Sequence, residues 1–190
     1  MNNEVPISLS NRHIHLSKEM IDALFGEKGL TIRKYLTKAK TEYAAEETVT
    51  VKGPKGSINK VRVLGPARSY NQVELLKADT FILGVDAPLR ESGHLEGAAD
   101  LTIVYNGKEY PLNGSGILAL RHIHMDSELM DALGIQEKQM VSVEVDGERG
   151  LVFKNVLVRR SRSKESVMHV DMEEGNAAGL KNGMLGRVIV

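Results

Sequence analysis

Residues 12–25 of the chain are RHIHLSKEMIDALF, and residues 121–134 are RHIHMDSELMDALG. Eight of the 14 positions are identical in an alignment without gaps, which chance rarely produces. We infer an internal duplication, in which each copy contributes a strand with a His-x-His pair, a turn and a capped helix. The two halves of the chain are therefore expected to fold into related subdomains.

The helix of each copy has recognisable ends in the sequence. Ser17 and Asp126 stand where an N-cap residue is needed, and both residue types accept hydrogen bonds from the first backbone N–H groups of a helix. Gly26 and Gly134 follow the last apolar residues and are typical of helix C-termini. We expect two short helices, each directly after an RHIH strand.

Most of the remaining sequence indicates short strands joined by tight turns. Asn106-Gly107 and Asp146-Gly147 each separate two strand-like runs, and both dipeptides favour the type I′ hairpin. A third hairpin is expected around the segment GPKG at residues 53–56. The chain is therefore predicted to be mainly β with short capping α-helices, and closed barrels are the usual way for such chains to cover their strand edges.

Composition excludes several classes of function. The 190 residues contain 25 Lys plus Arg and 25 Asp plus Glu, so the net charge of zero argues against nucleic-acid and anionic-membrane partners. The absence of cysteine excludes disulfides and thiolate metal sites, so any metal must be held by histidine, carboxylate and water. No apolar run approaches the roughly 20 residues of a membrane span. We expect a cytoplasmic protein.

The two His-x-His pairs use four of the six histidines in the chain. Side chains at i and i+2 of a strand point to the same face, so His13 and His15 can bind one metal ion together, as can His122 and His124. Two pairs in a duplicated context favour metal binding. The alternative is that the duplication copied a structural motif that binds no metal.

Two arginines lie beside proline turns, Arg68 in LGPARSYNQVE and Arg90 in DAPLRESG. The planar guanidinium group suits phosphate and carboxylate oxygens, so either residue could bind an anion. Solvated arginines near a turn are the alternative interpretation, and the residues alone leave both open. The chain has no glycine-rich phosphate loop and no GxSxG motif.

In order, the segments VPISLSNRHIHLS, KVRVLGPARSYNQVE, APLRESG, RHIHM and HVDMEEGNAAGL resemble the propanediol-utilisation (PduL-type) phosphotransacylases from Val5 to the C-terminus. The resemblance implies transfer of a propanoyl or acetyl group between coenzyme A and inorganic phosphate, in propanediol degradation or acyl phosphate formation. It also implies two pseudo-symmetric β-barrel subdomains, residues 1–11 plus 120–190 and residues 12–119, with the active site between them. We expect a homodimer.

The resemblance further implies two divalent metal ions, in this family usually zinc. His13 and His15 would bind one ion together with the coenzyme A sulfur. Four side chains would bind the second ion: Glu74, His122, His124 and His169. Arg68 would bind phosphate, and Phe81 would pack on the adenine of coenzyme A. The remaining coenzyme A contacts would be Ser10, Arg62, Leu64 and Asn176. His94 matches no functional position.

Two other functions remain open from the sequence. The same ligands could serve a two-metal hydrolase of a thioester or amide, or a barrel module that binds a metal or ligand without catalysis. Family members packaged in bacterial microcompartments often carry an N-terminal extension, whereas four residues precede Val5 here. A free cytoplasmic enzyme is therefore the expectation.

Overall fold

The computed structural model of the chain describes residues 3–161 and 164–190. The first part of the chain contains β1 (Glu4–Ser10), β2 (His13–Ser17), α1 (Lys18–Phe25), a 3-10 turn (Gly26–Lys28), β3 (Ile32–Tyr35), β4 (Tyr43–Lys52), β5 (Ser57–Arg68), β6 (Gln72–Leu75), α2 (Lys77–Leu83), β7 (Leu89–Arg90) and β8 (Ala99–Tyr105). The second part contains β9 (Lys108–Ala119), β10 (His122–Met125), α3 (Ser127–Leu133), β11 (Met140–Val145), β12 (Leu151–Arg160), β13 (Val167–Asp171), α4 (Met172–Ala177) and β14 (Leu185–Ile189). The prediction of a mainly β chain with short helices is confirmed.

The chain divides into two compact units, Arg12–Ala119 and Met1–Asn11 together with Leu120–Val190. In the unit Arg12–Ala119, β2 pairs in parallel with β5 and antiparallel with β6. β6 continues in parallel to β9, and β9, β8, β4 and β5 follow with antiparallel pairings. These pairings close a six-stranded ring, which β3 extends from β4 and β7 extends from β9.

The other unit repeats this ring with the same order and the same strand directions. β10 pairs in parallel with β12 and antiparallel with β13, and β13 continues in parallel to β1. β1, β14, β11 and β12 then follow with antiparallel pairings, which closes the second barrel. The prediction of two pseudo-symmetric barrels is therefore confirmed. β1, which precedes the first RHIH segment, belongs to the ring that contains β10. β9, which precedes the second RHIH segment, belongs to the ring that contains β2.

The core of each barrel fixes the face on which the histidines lie. Ile14 and Leu16 of β2 are fully buried in the core of one barrel, and Ile123 and Met125 of β10 are fully buried in the other. Burying an aliphatic side chain of this size contributes about 1.5–3 kcal/mol. Because side chains alternate along a strand, the histidines between these residues must point away from the core.

The helix ends follow the sequence expectations. The Ser17 side chain accepts a hydrogen bond from the Met20 backbone N–H, and the Asp126 side chain accepts one from the Glu128 backbone N–H. Gly26 and Gly134 end these helices with φ values of 65° and 66°, which favour glycine. In the described part of the chain, no helix is both long enough and apolar enough to cross a membrane.

Candidate active site

The two histidine pairs form close contacts on the outward faces of β2 and β10. The rings of His13 and His15 have centroids 5.0 Å apart and meet edge to face, and those of His122 and His124 are 4.9 Å apart in the same arrangement. Each pair thus presents its imidazoles to one point in space, as the alternation of strand side chains predicts.

A third ligand reaches each pair from the neighbouring antiparallel strand. The register places Glu74 of β6 opposite His13, and His169 of β13 opposite His122. The His169 ring stacks on His122, with centroids 5.1 Å apart. We name two groups by their residues, each with ligand atoms within 4.8 Å of one another: the first cluster is His13, His15 and Glu74, and the second cluster is His122, His124 and His169.

The position of Glu74 differs from the grouping that the family resemblance implies. The resemblance gives Glu74 to the ion of His122, His124 and His169. In the structure, Glu74 Oε2 lies 3.3 Å from His13 Nε2, within the first cluster. Glu74 and His169 occupy equivalent places in the two barrels, so each barrel supplies its own third ligand. The assignment of Glu74 to the second ion stays a prediction.

One histidine of each cluster, His15 and His122, has a ring nitrogen whose lone pair is suited to a metal. Burial, and next the neighbouring His13 ring, lowers the pKa of His15 to about 3, so this imidazole is neutral. His15 Nδ1 is buried and has no hydrogen-bond partner among the described residues. His122 Nδ1 lies 3.0 Å from the Leu120 carbonyl oxygen, which can only accept, so Nδ1 carries the hydrogen and the lone pair of a neutral ring is on Nε2.

The Glu74 side chain is ionised although only 13% of it is exposed. Burial by itself raises the pKa of a carboxyl group, but the neighbouring rings of His13 and His15 and their hydrogen bonding outweigh it, and the pKa of Glu74 falls below its ordinary value. A carboxylate beside two imidazoles is a donor set that fits Zn²⁺. Each cluster offers three protein ligands, which leaves a coordination position for a substrate, as in catalytic zinc sites.

The arginine of each RHIH segment forms an ion pair with an acidic residue in the first turn of a helix. Arg12 Nε lies 2.9 and 2.8 Å from the two carboxylate oxygens of Asp79, which is fully buried in α2. Asp79 also accepts the Leu76 backbone N–H at 2.9 Å. In the other barrel, Arg121 Nε lies 3.4 Å from Glu174 at the same place in α4. The first ion pair connects the start of β2 to α2, and the second connects the start of β10 to α4.

Arg68 and Arg90 differ in what their guanidinium groups contact. Arg68 Nη2 donates to Glu42 Oε1 at 2.6 Å, while its buried Nε has no acceptor among residues 3–161 and 164–190. Arg90 Nε donates to the Glu96 carbonyl oxygen at 2.9 Å, and Nη1 donates to the Leu89 carbonyl oxygen. Arg90 therefore stabilises its own loop, whereas Arg68 has a buried donor without an acceptor among the described residues.

The residues expected to contact coenzyme A lie in both units. Arg62 and Leu64 are in β5, where Arg62 Nη1 donates to two backbone carbonyls of β4. Phe81 of α2 is 67% exposed. Ser10 ends β1 and Asn176 lies exposed in α4. The contacts made by Asp79, Glu174 and Gln72 were not foreseen from the sequence, because their partners lie far away along the chain.

The sequence comparisons agree over nearly the whole chain. The family model described as phosphate propanoyltransferase matches residues 6–181. A phosphate propanoyltransferase of Rhodobacter capsulatus is 47% identical over 184 residues, covering 97% of this chain and 86% of the relative. Those of Salmonella typhimurium and Thermotoga maritima are 44% and 43% identical, covering 94% and 96% of this chain and 85% and 88% of the relatives.

Proposed function

The chain belongs to the phosphate propanoyltransferase family of transferases, and on this premise we propose that it moves a propanoyl or acetyl group between coenzyme A and phosphate with two divalent metal ions. The observation that carries the proposal is the pair of three-ligand clusters at equivalent places in two barrels. A structural motif without a metal gives no reason for a third ligand beside each pair, nor for the unpartnered buried nitrogen of His15.

The residues that would hold the metals are those of the two clusters. His13 and His15 serve one ion and His122, His124 and His169 serve the other, with Glu74 as the carboxylate ligand. When bound, the ions supply Lewis acidity that stabilises negative charge on the departing thiolate and on phosphate. Zinc suits the donor set, since imidazole, carboxylate and thiolate are its usual ligands.

Arg68 is proposed to bind and orient the phosphate. Its Nη2 donates to the Glu42 carboxylate, an acceptor that resembles a phosphate oxygen, and its Nε is a buried donor without an acceptor among the described residues. Phosphate would replace the Glu42 carboxylate as the acceptor of the Arg68 guanidinium group. Arg68 then holds a phosphate oxygen for attack on the thioester carbonyl carbon, while the carbon–sulfur bond breaks and coenzyme A leaves as the thiolate.

Coenzyme A is proposed to contact Ser10, Arg62, Leu64 and Asn176, with its adenine on Phe81. The exposed Phe81 ring offers an apolar face, and base stacking on such a ring contributes about 1–3 kcal/mol. The chain contains no cysteine to act as an acyl carrier, which favours direct attack by phosphate. The cytoplasmic location and the homodimer stay predictions.

Thiol release from acyl-CoA, measured with and without phosphate, tests the transferase proposal. We expect purified protein to release thiol from propanoyl-CoA or acetyl-CoA only when phosphate is present, and to form one acyl phosphate for each thiol. A two-metal hydrolase would release thiol without phosphate, and a non-catalytic module would release none. Either of these results would overturn the proposal. Butanoyl-CoA in the same assay determines the range of acyl chains.

A further inference from the structure

Gln72 is a fully buried polar side chain on β6, two residues before Glu74 and therefore on the same face of the strand. Its Nε2 donates to Glu74 Oε1 and to Ser92 Oγ, each at 2.8 Å. Its Oε1 accepts the Gly93 backbone N–H at 2.8 Å. A carboxylate only accepts and an N–H only donates, so these partners fix the orientation of the amide.

The hydrogen bond from Gln72 determines which oxygen of Glu74 faces the histidines. Oε1 is held by the amide, and Oε2 lies 3.3 Å from His13 Nε2. We propose that Gln72 is a positioning residue that presents Oε2 of Glu74 as a single-oxygen metal ligand, supported by Ser92, which accepts from the amide and also hydrogen-bonds to Glu74. This inference rests on the proposed metal-dependent function.

The two barrels offer an internal comparison. His15 pairs with Gln72 in the first barrel, and His124 pairs with Val167 at the equivalent position in the second. The third ligand beside Gln72 is a carboxylate with two oxygens, whereas the third ligand beside Val167 is a histidine. A donor can select one of the two oxygens of a carboxylate, whereas an imidazole is oriented by a partner on its second ring nitrogen. The polar Gln72 therefore lies beside the carboxylate ligand Glu74, and the apolar Val167 stands at the equivalent position beside the histidine ligand His169.

The turn that carries Ser92 is built to reach the amide. Gly93 has a φ of 93°, and a Cβ there would lie 3.3 Å from the Tyr70 hydroxyl, so a larger residue would be strained. Arg90 closes the same segment through the Glu96 carbonyl. The RESG sequence thus serves to hold Ser92 and the Gly93 N–H against Gln72. A neutral amide does this without adding charge beside a carboxylate.

Zinc affinities of three variants test the proposal. Glu74→Ala first identifies which of the two ions Glu74 binds, by competition of each ion with a chromogenic chelator. Gln72→Met keeps the side-chain length and removes the donors, and we expect it to weaken that same ion about 10–100-fold, the usual effect of losing a partner of a metal ligand. Ser92→Ala removes the acceptor of the Gln72 amide together with a hydrogen bond to Glu74, so it is expected to weaken the same ion, and it tests this support of Glu74 should Gln72→Met fail to fold.

Ser115→Ala is the matched control, because Ser115 is also buried in this unit and its hydroxyl donates to the Leu112 carbonyl oxygen. It should leave both affinities unchanged at a comparable melting temperature. If Gln72→Met and Ser92→Ala bind both ions as tightly as the wild type, or weaken only the ion that Glu74→Ala leaves intact, the inference is wrong. Wild-type protein that binds no zinc would instead overturn the proposed function itself.

Discussion

Replacing His122, His124 or His169 by alanine is expected to abolish acyl transfer, each change costing more than about a hundredfold in rate. Loss of a partner that merely orients a metal ligand costs about 10–100-fold, and loss of a ligand itself should exceed that. The three side chains converge within 4.8 Å, so any one substitution leaves two ligands for an ion. The measurement is the initial rate of thiol release with phosphate, together with the zinc content of each variant.

His94→Ala is the control for these substitutions. His94 is exposed and belongs to neither cluster, so its replacement should leave rate and zinc content unchanged. If His94→Ala were as damaging as His169→Ala, the ligand assignment would be wrong.

Arg68→Ala is expected to lower turnover by roughly 10²–10³-fold, the typical cost of removing one preorganised donor that stabilises charge in the transition state. The KM for phosphate should rise as well, because the same guanidinium group binds the ground-state anion. Zinc content and the melting temperature should remain normal, since the guanidinium group of Arg68 pairs with the partly exposed Glu42. Phosphate titration at saturating acyl-CoA measures both effects.

Arg68→Lys should recover only part of the loss, because an ammonium group cannot reproduce the two-donor contact of a guanidinium group with phosphate. Arg33→Ala is the matched control, as Arg33 forms an exposed ion pair with Glu46 in the same unit. Unchanged phosphate kinetics in Arg68→Ala would remove this residue from the site and leave the metal ions as the remaining candidates for phosphate binding.

Local sequence patterns predicted much of the fold because turn chemistry and side-chain alternation act over a few residues. Asn106 and Gly107 adopt φ values of 49° and 75° between β8 and β9, as the type I′ prediction requires. The same prediction for Asp146-Gly147 is wrong. There Gly147 has a φ of 133°, and the Gly150 N–H donates to the Gly147 carbonyl oxygen, so the second glycine closes a wider loop.

The candidate site was predictable only in part. Alternation along a strand places His13 and His15 on one face, and this follows from their spacing. The third ligands depend on the register of strands that are far apart in sequence, which no local pattern encodes. Residues 72–79 (QVELLKAD) and 167–174 (VMHVDMEE) hold equivalent places yet share no identical position, so the duplication could not be extended to them from the sequence.

The same separation hides the contacts around the ligands. Asp79 accepts a hydrogen bond from Arg12, which lies far earlier in the sequence. Ser92 accepts one from Gln72, and the two residues are separated by helix α2. Such pairings are set by the closure of the barrel, which brings distant strands and loops together. A sequence motif can therefore indicate the kind of chemistry without identifying every residue that supports it.

The metal content of active protein tests the central claim most directly. Protein purified without chelator is expected to contain two divalent ions per chain, to lose activity when a chelator removes them, and to regain it when zinc is returned in matching amount. Elemental analysis and the phosphate-dependent thiol assay would be run on the same sample. Full activity in protein with a metal content near zero would contradict the account.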